Sequence, residues 1–310
     1  IRGSANLSLA NNTASGVNSF VGSGSRNTSS ASHSFIGSGT TNTASGNYSS
    51  VVSGLSNSAT GASSFVGAGN SNVASSACTV VGGGQNNGAN MCFATIGGGC
   101  GNLTNGNGKY ATIGGGKGNC VRGQYGGTTF LASTIGGGQS NYTYFSYATI
   151  GGGKQNSASG FISVIGGGNF NTANGNCSVI SGGWNNVTCN GFTTVSGGYG
   201  NVVTAPSSTI AGGQANRIST AQTSFIGGGL SNTASGYYSA TISGGENNTA
   251  SGYRGSTIGG GKITPQVELN STISGGYLNV TSNQGALIGG GRGNTASGFY
   301  GVVAGGYANV

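Results

Sequence analysis

Ala148, Thr149, Ile150, Gly151, Gly152, Gly153, Lys154, Gln155 and Asn156 read as a small residue, Thr, an aliphatic anchor, three glycines, two free positions and Asn. The same pattern recurs along the whole chain. Taking the Ile or Val as the anchor gives nineteen copies: Val21, Ile36, Val51, Val66, Val81, Ile96, Ile113, Ile135, Ile150, Ile165, Ile180, Val195, Ile210, Ile226, Ile242, Ile258, Ile273, Ile288 and Val303. Thirteen of the eighteen intervals are 15 residues, three are 16, one is 17 and one is 22. Gly stands three residues after every anchor, and Asn six residues after it in eighteen of nineteen copies, Thr264 being the exception.

A 15-residue unit is too short for a helix pair or a propeller blade, but it suits one turn of a narrow solenoid with two short strands and tight bends. The expected fold is therefore all-β, a parallel β-solenoid or β-roll of about 20 turns. It occupies residues 1–310 as a single repeat domain. Stacking at the strand spacing predicts a rod about 85 to 90 Å long. Side chains two apart on a strand share a face, so the anchor and the position two before it, such as Ala148 with Ile150, are expected to point inward. Ile36, Ile96, Ile113, Ile135, Ile150, Ile165, Ile180, Ile210, Ile226, Ile242, Ile258, Ile273 and Ile288 would form the core, against a second small column eight residues past the anchor, such as Ala158 and Ala173. The glycines fit bends that need positive φ and close stacking. The Asn column, including Asn141, Asn156, Asn171, Asn186, Asn201 and Asn216, is expected to accept the left-handed conformation and to bond its own turn or its neighbours as a ladder.

Composition narrows the function. The chain has 69 Gly in 310 residues, 10 Lys and Arg, 2 Asp and Glu, and a formal net charge of +8. There is no three-residue glycine period for collagen, and no apolar run long enough for a membrane span. The regular Ile and Val argue against disorder. The basic residues are scattered, so no nucleic-acid groove is indicated. Both acids are Glu, at 246 and 268, so neither a Ser-His-Asp triad nor an Asp-based calcium repeat can be assembled, and two isolated carboxylates make a poor glycosidase pair. His33, the single His, sits in a column that elsewhere holds Tyr48, Tyr110 and Tyr147 and reads as a surface residue. Six cysteines without a CxxC give no metal or redox motif; a bridge between Cys78 and Cys92 on adjacent turns and buried free thiols both stay open. Catalytic, cofactor and metal sites are therefore not expected. Sequons at Asn102 and Asn186 arise readily in a chain this rich in Asn, Ser and Thr.

Three features remain as candidate contacts. The residue before the anchor should face outward, and Phe20, Phe35, Phe65, Phe225 and Leu287 make that column an apolar stripe. Identical stripes from two other chains would bury it, which predicts a homotrimer. Regular Thr in the same column raises an ice-binding alternative, although Phe and Val interrupt it. Four residues past the anchor the column varies, with Lys117, Lys154, Trp184, Tyr199, Tyr277, Arg292 and Tyr307 suggesting a solvent-facing ridge that meets a surface glycan or protein receptor. The longest interval places a surface loop within 120–131.

Ser239, Ala240, Thr241, Ile242, Ser243, Gly244, Gly245, Glu246, Asn247, Asn248, Thr249, Ala250, Ser251 and Gly252 resemble the head repeats of YadA-like trimeric autotransporter adhesins, as do the neighbouring turns. The resemblance implies a left-handed parallel β-roll, an obligate homotrimer and an extracellular place on a bacterial surface. Similar repeats occur in phage and virus fibres, so a virion or phage tail fibre is the alternative. The chain departs from the family in its longer repeat and in its Asn where Ser is more usual. It has no neck, stalk or anchor, and so reads as a fragment of a longer fibre.

Overall fold

The computed structural model describes residues 5–6, 11–123, 132–262 and 269–310. Among these every element is a short strand, and the chain forms a parallel β-solenoid divided into two compact units, Ile1–Ala158 and Ser159–Val310. In the first unit, Phe20–Val21, Phe35–Ile36, Ser50–Val51 and Phe65–Val66 pair in parallel, anchor on anchor. The ladder continues to Thr149–Ile150, with Ile113 opposite Ile135 and Ile135 opposite Ile150. The second unit repeats it from Val164–Ile165 to Val302–Val303, with Ile165 opposite Ile180. All nineteen anchors lie on such strands. One rung was not visible in the pattern: Ala5–Asn6 pairs with Phe20–Val21, which puts an Asn in the anchor position.

A second parallel ladder runs seven to eight residues past the anchors, from Thr13–Ala14 to Ser157–Ala158 in the first unit and from Thr172–Ala173 in the second. The core lies between the two ladders. Ile36, Ile96, Ile113, Ile135, Ile150, Ile165, Ile180, Ile210, Ile226, Ile242, Ile258, Ile273 and Ile288 are completely buried, facing buried Ala44, Ala59, Ala74, Ala158, Ala173 and Ala234. Burying one such anchor contributes about 2 kcal/mol relative to leaving it in water, so the core of each rung is thin and hydrogen bonds between rungs matter correspondingly more.

The structure adds a third line of pairing to the two strands expected. The residues four past the anchor form single-residue parallel bridges, Ser25 to Thr40 to Leu55 and onward in the first unit, Asn169 to Trp184 to Tyr199 and onward in the second. Where both neighbours are described, each lies between two left-handed residues, as Thr40 lies between Gly39 at φ 102° and Thr41 at φ 59°. Gly39 is required twice over: its φ is positive, and a Cβ would overlap the carbonyl oxygen of Gly54 on the next rung.

The left-handed positions also correct the reading of the Asn column. The non-glycine residues with positive φ stand one before the Asn and three before the anchor, and they include Thr41, Tyr48, Ile162 and Phe170. The conformation reverses a hydrogen bond. Most rung-linking N–H groups donate forward, as Thr40 does to Gly54 O at 2.9 Å, whereas Thr41 N–H donates backward to Ser25 O at 2.9 Å and Tyr48 N–H to Ser32 O at 3.0 Å. Bonds of both directions tie adjacent rungs, offsetting the cost of about 1 to 2 kcal/mol that an L-residue incurs there.

The long interval does not disturb the register. Cys120–Arg122, which the sequence reading placed inside the surface loop, is a strand paired with Leu103–Asn105 and, through Cys120 and Val121, with Tyr142–Thr143. Cys120 and Val121 are buried because they continue the second ladder. The rest of the expected loop, 124–131, lies outside the described residues.

Candidate functional site

Strand alternation turns the column before the anchor outward. In the first unit Phe20 and Phe35 stack at 5.4 Å with their planes 6° apart, and Phe35 and Phe65 are each more than a third exposed. In the second unit Phe225 and Leu287 are likewise exposed. Thr and Val occupy the same column between them, for example Thr194, Thr209 and Val179.

The ridge four past the anchor lies on the third line of bridges, so the backbone holds its side chains one rung apart. Lys117 and Lys154 stand in the first unit and are exposed. In the second, Trp184 and Tyr199 meet edge to face at 5.4 Å, and Arg292 lies against Tyr277 at 5.2 Å and Tyr307 at 5.8 Å. Between these groups Lys262 Nζ pairs with Glu246 at 3.0 Å. The ridge therefore offers aromatic rings, and an arginine whose N–H donors face no described carboxylate.

The Asn column lies inside, one rung edge away from the ridge. Asn186 Oδ1 accepts the N–H of Asn201 at 2.9 Å, and its Nδ2 donates to Gly182 O and Gly198 O at 3.0 Å each. Asn141, Asn201 and Asn216 repeat the arrangement, and Asn156 and Asn171 occupy the same buried column. These amides hold the scaffold together and are not accessible to a ligand.

The opposite connection, which returns the chain from the second ladder to the anchor, carries a group that the sequence reading passed over. Tyr237 and Tyr253 stack at 5.2 Å with planes 4° apart, Tyr238 meets Tyr237 edge-on at 4.5 Å, and the Arg254 guanidinium lies 5.5 Å from Tyr238 and 5.6 Å from Tyr253. The negative charge that would develop beside Tyr237 raises the Tyr238 phenol above its ordinary value, with desolvation adding to it. The signal was present in the intervals: the three 16-residue spacings are consecutive, from Ile210 to Ile258. Further along the same kind of connection, His33 stacks on Tyr48 at 4.9 Å and its Nε2 lies 3.1 Å from Asn18 Nδ2, an exposed surface contact.

All six cysteines are free thiols. Cys78 and Cys92 differ by one position in their rungs, since Phe93, not Cys92, repeats the backward bond of Cys78. Burial raises the Cys120 thiol above its ordinary value, although Arg122 beside it acts in the opposite sense. Among the described residues, no group of three or more His, Cys, Asp or Glu is placed to hold a metal, and no helix is long and apolar enough to cross a membrane. Glu268 lies outside the described residues. No family model matches the chain, and no curated protein matches it.

Proposed function

We propose that the chain is a non-enzymatic structural and adhesive segment of an extracellular fibre, on a cell surface or a virion, that works as a homotrimer. The observation that supports this most is the stripe: Phe35, Phe65, Phe225 and Leu287 keep 38% to 41% of their surface exposed on a hydrogen-bonded scaffold. A repeated contact among three copies removes them from water, and the ridge around Trp184 and Tyr199 then meets a glycan or protein receptor. Bacterial adhesin and phage or virus fibre are the two settings in which such a segment would serve.

Light scattering on the purified full chain tests the assembly. Three times the chain mass is expected, falling to one chain mass when Phe35, Phe65 and Phe225 are all changed to Ser. A wild-type chain that stays monomeric at high concentration removes the trimer from the proposal. Thermal hysteresis separates the ice-binding alternative, and the Phe and Val that break the Thr column lead us to expect none.

A further inference from the structure

We infer that Gln222, Tyr237, Tyr238, Tyr253 and Arg254 form a binding site for an acidic saccharide, with Arg254 holding a carboxylate or sulfate group and the tyrosines packing on the sugar. The site is on the connection away from the ridge and stands whether or not the chain is a trimer.

Its origin is the extra residue in three successive rungs. In each, the connection after Ile218, Ala234 and Ala250 gains one position, and the added positions pair: Gln222 with Tyr238, and Tyr238 with Arg254. A tight bend is thereby widened into a short platform. Gln222, Tyr237, Tyr253 and Arg254 are all exposed on it. A single insertion at one rung would be a tolerated bulge; three in register, filled with aromatic and amide side chains, build a surface.

The charge distribution selects an anion. The one acid among the described residues, Glu246, is held by Lys262 at 3.0 Å. Arg254 is paired with rings, not with a carboxylate. A cation–π contact is not a hydrogen bond and uses none of the guanidinium's N–H donors as a conventional pair would, and that fork of donors fits an oxyanion with two parallel hydrogen bonds.

The backbone selects a saccharide over an extended peptide. The N–H of Gln222 already donates to Tyr237 O at 3.2 Å and that of Tyr238 to Tyr253 O at 3.1 Å, so the platform has no strand edge to which a peptide could add. Its phenols and amide instead offer donors and acceptors for hydroxyls. They repeat at the rung spacing of about 4.8 Å, close to the length of one ring in an extended polysaccharide.

Titration calorimetry on the full chain tests this with oligogalacturonate, its methyl ester, a carrageenan oligosaccharide and a hexaglutamate peptide as probes. Binding to the first identifies a carboxylate ligand, binding to the third a sulfate ligand, and the uncharged ester should bind at least about tenfold more weakly than oligogalacturonate. Arg254→Gln and Tyr253→Ala should each weaken binding by about tenfold or more, and Arg254→Lys, which keeps the charge but not the fork, should weaken it as well. Arg217→Gln removes the same charge from an exposed strand position nearby and should change binding by less than about twofold. Equal losses at Arg217 and Arg254 would reduce the effect to general electrostatics. Hexaglutamate binding as tightly as the best sugar, or neither acidic sugar binding, overturns the inference outright.

Discussion

The backbone N–H of Asn201 donates to the side-chain Oδ1 of Asn186 on the preceding rung at 2.9 Å. That bond makes the side chain of one rung a required acceptor for the next. With Nδ2 of Asn186 donating to Gly182 O and Gly198 O, a single buried amide satisfies one backbone donor and two backbone carbonyls. Asp could supply the acceptor but not the two donors, and Ser is too short to reach both rungs. This explains why Asn recurs at a position whose own backbone is not left-handed.

Asn186→Ala should therefore destabilise the second unit by about 3 kcal/mol, because it leaves buried donor and acceptor groups without partners. The adjacent Asn185 is left-handed at φ 56° and exposed, so Asn185→Gly should cost at most a few tenths of a kcal/mol. Urea unfolding of the two variants provides the comparison. Equal midpoints would show that the buried amides contribute nothing specific.

The solenoid, its strand positions and its inward columns were legible because Ile150 or Ile165 needs the same enclosure on every rung, and a repeated need leaves a repeated residue. The glycines three past each anchor were legible as left-handed, but the non-glycine left-handed positions were not. Thr41, Tyr48 and Phe192 share a backbone conformation but no side-chain chemistry, because each is held by a backward main-chain hydrogen bond. The rung at Ala5–Asn6 was hidden for the opposite reason, an atypical residue in a typical place. The tyrosine platform was missed: the 16-residue intervals showed three longer rungs but not which residue in each was extra, and only the fold places Arg254 against Tyr238.

The same conformation offers a way to stabilise the protein. Thr41 is β-branched, exposed and held at φ 59°, a region that suits Asn much better. Thr41→Asn keeps the backward bond to Ser25 O and should raise stability by about 1 kcal/mol. A fall in the thermal midpoint would mean that the Thr41 side chain contributes more than its backbone strain costs.

The Cys120 thiol has its value raised mainly by burial, so little of it is thiolate at neutral pH. Iodoacetamide at pH 8 should modify the exposed Cys78 and Cys189 first and leave Cys120 until last, as peptide mapping would show. The raised value also sets the sign of a pH effect. The folded state retains this proton more strongly than the unfolded chain, so its contribution to stability is complete below the unfolded value and is lost as pH rises from there through the raised folded value. Cys120→Ala should flatten that alkaline decline, and an unchanged slope would assign it to other groups.

Asn102 and Asn186 each begin a sequon, yet both are fully buried with their amide N–H groups committed, Asn102 to Gly98 O at 2.9 Å and Gly116 O at 3.0 Å. A glycan on either Nδ2 would replace one of those donors and force a branched sugar between rungs. Modification and folding at these sites should exclude each other. Asn47, by contrast, is exposed and begins the sequon Asn47, Tyr48, Ser49. When the chain is secreted from a eukaryotic host, glycopeptide mapping of the folded, protease-resistant fraction should find sugar at Asn47 and none at Asn102 or Asn186. A folded fraction glycosylated at Asn186 would contradict the inward placement of the whole Asn column, since a sugar on Nδ2 would break its bond to Gly182 O or Gly198 O.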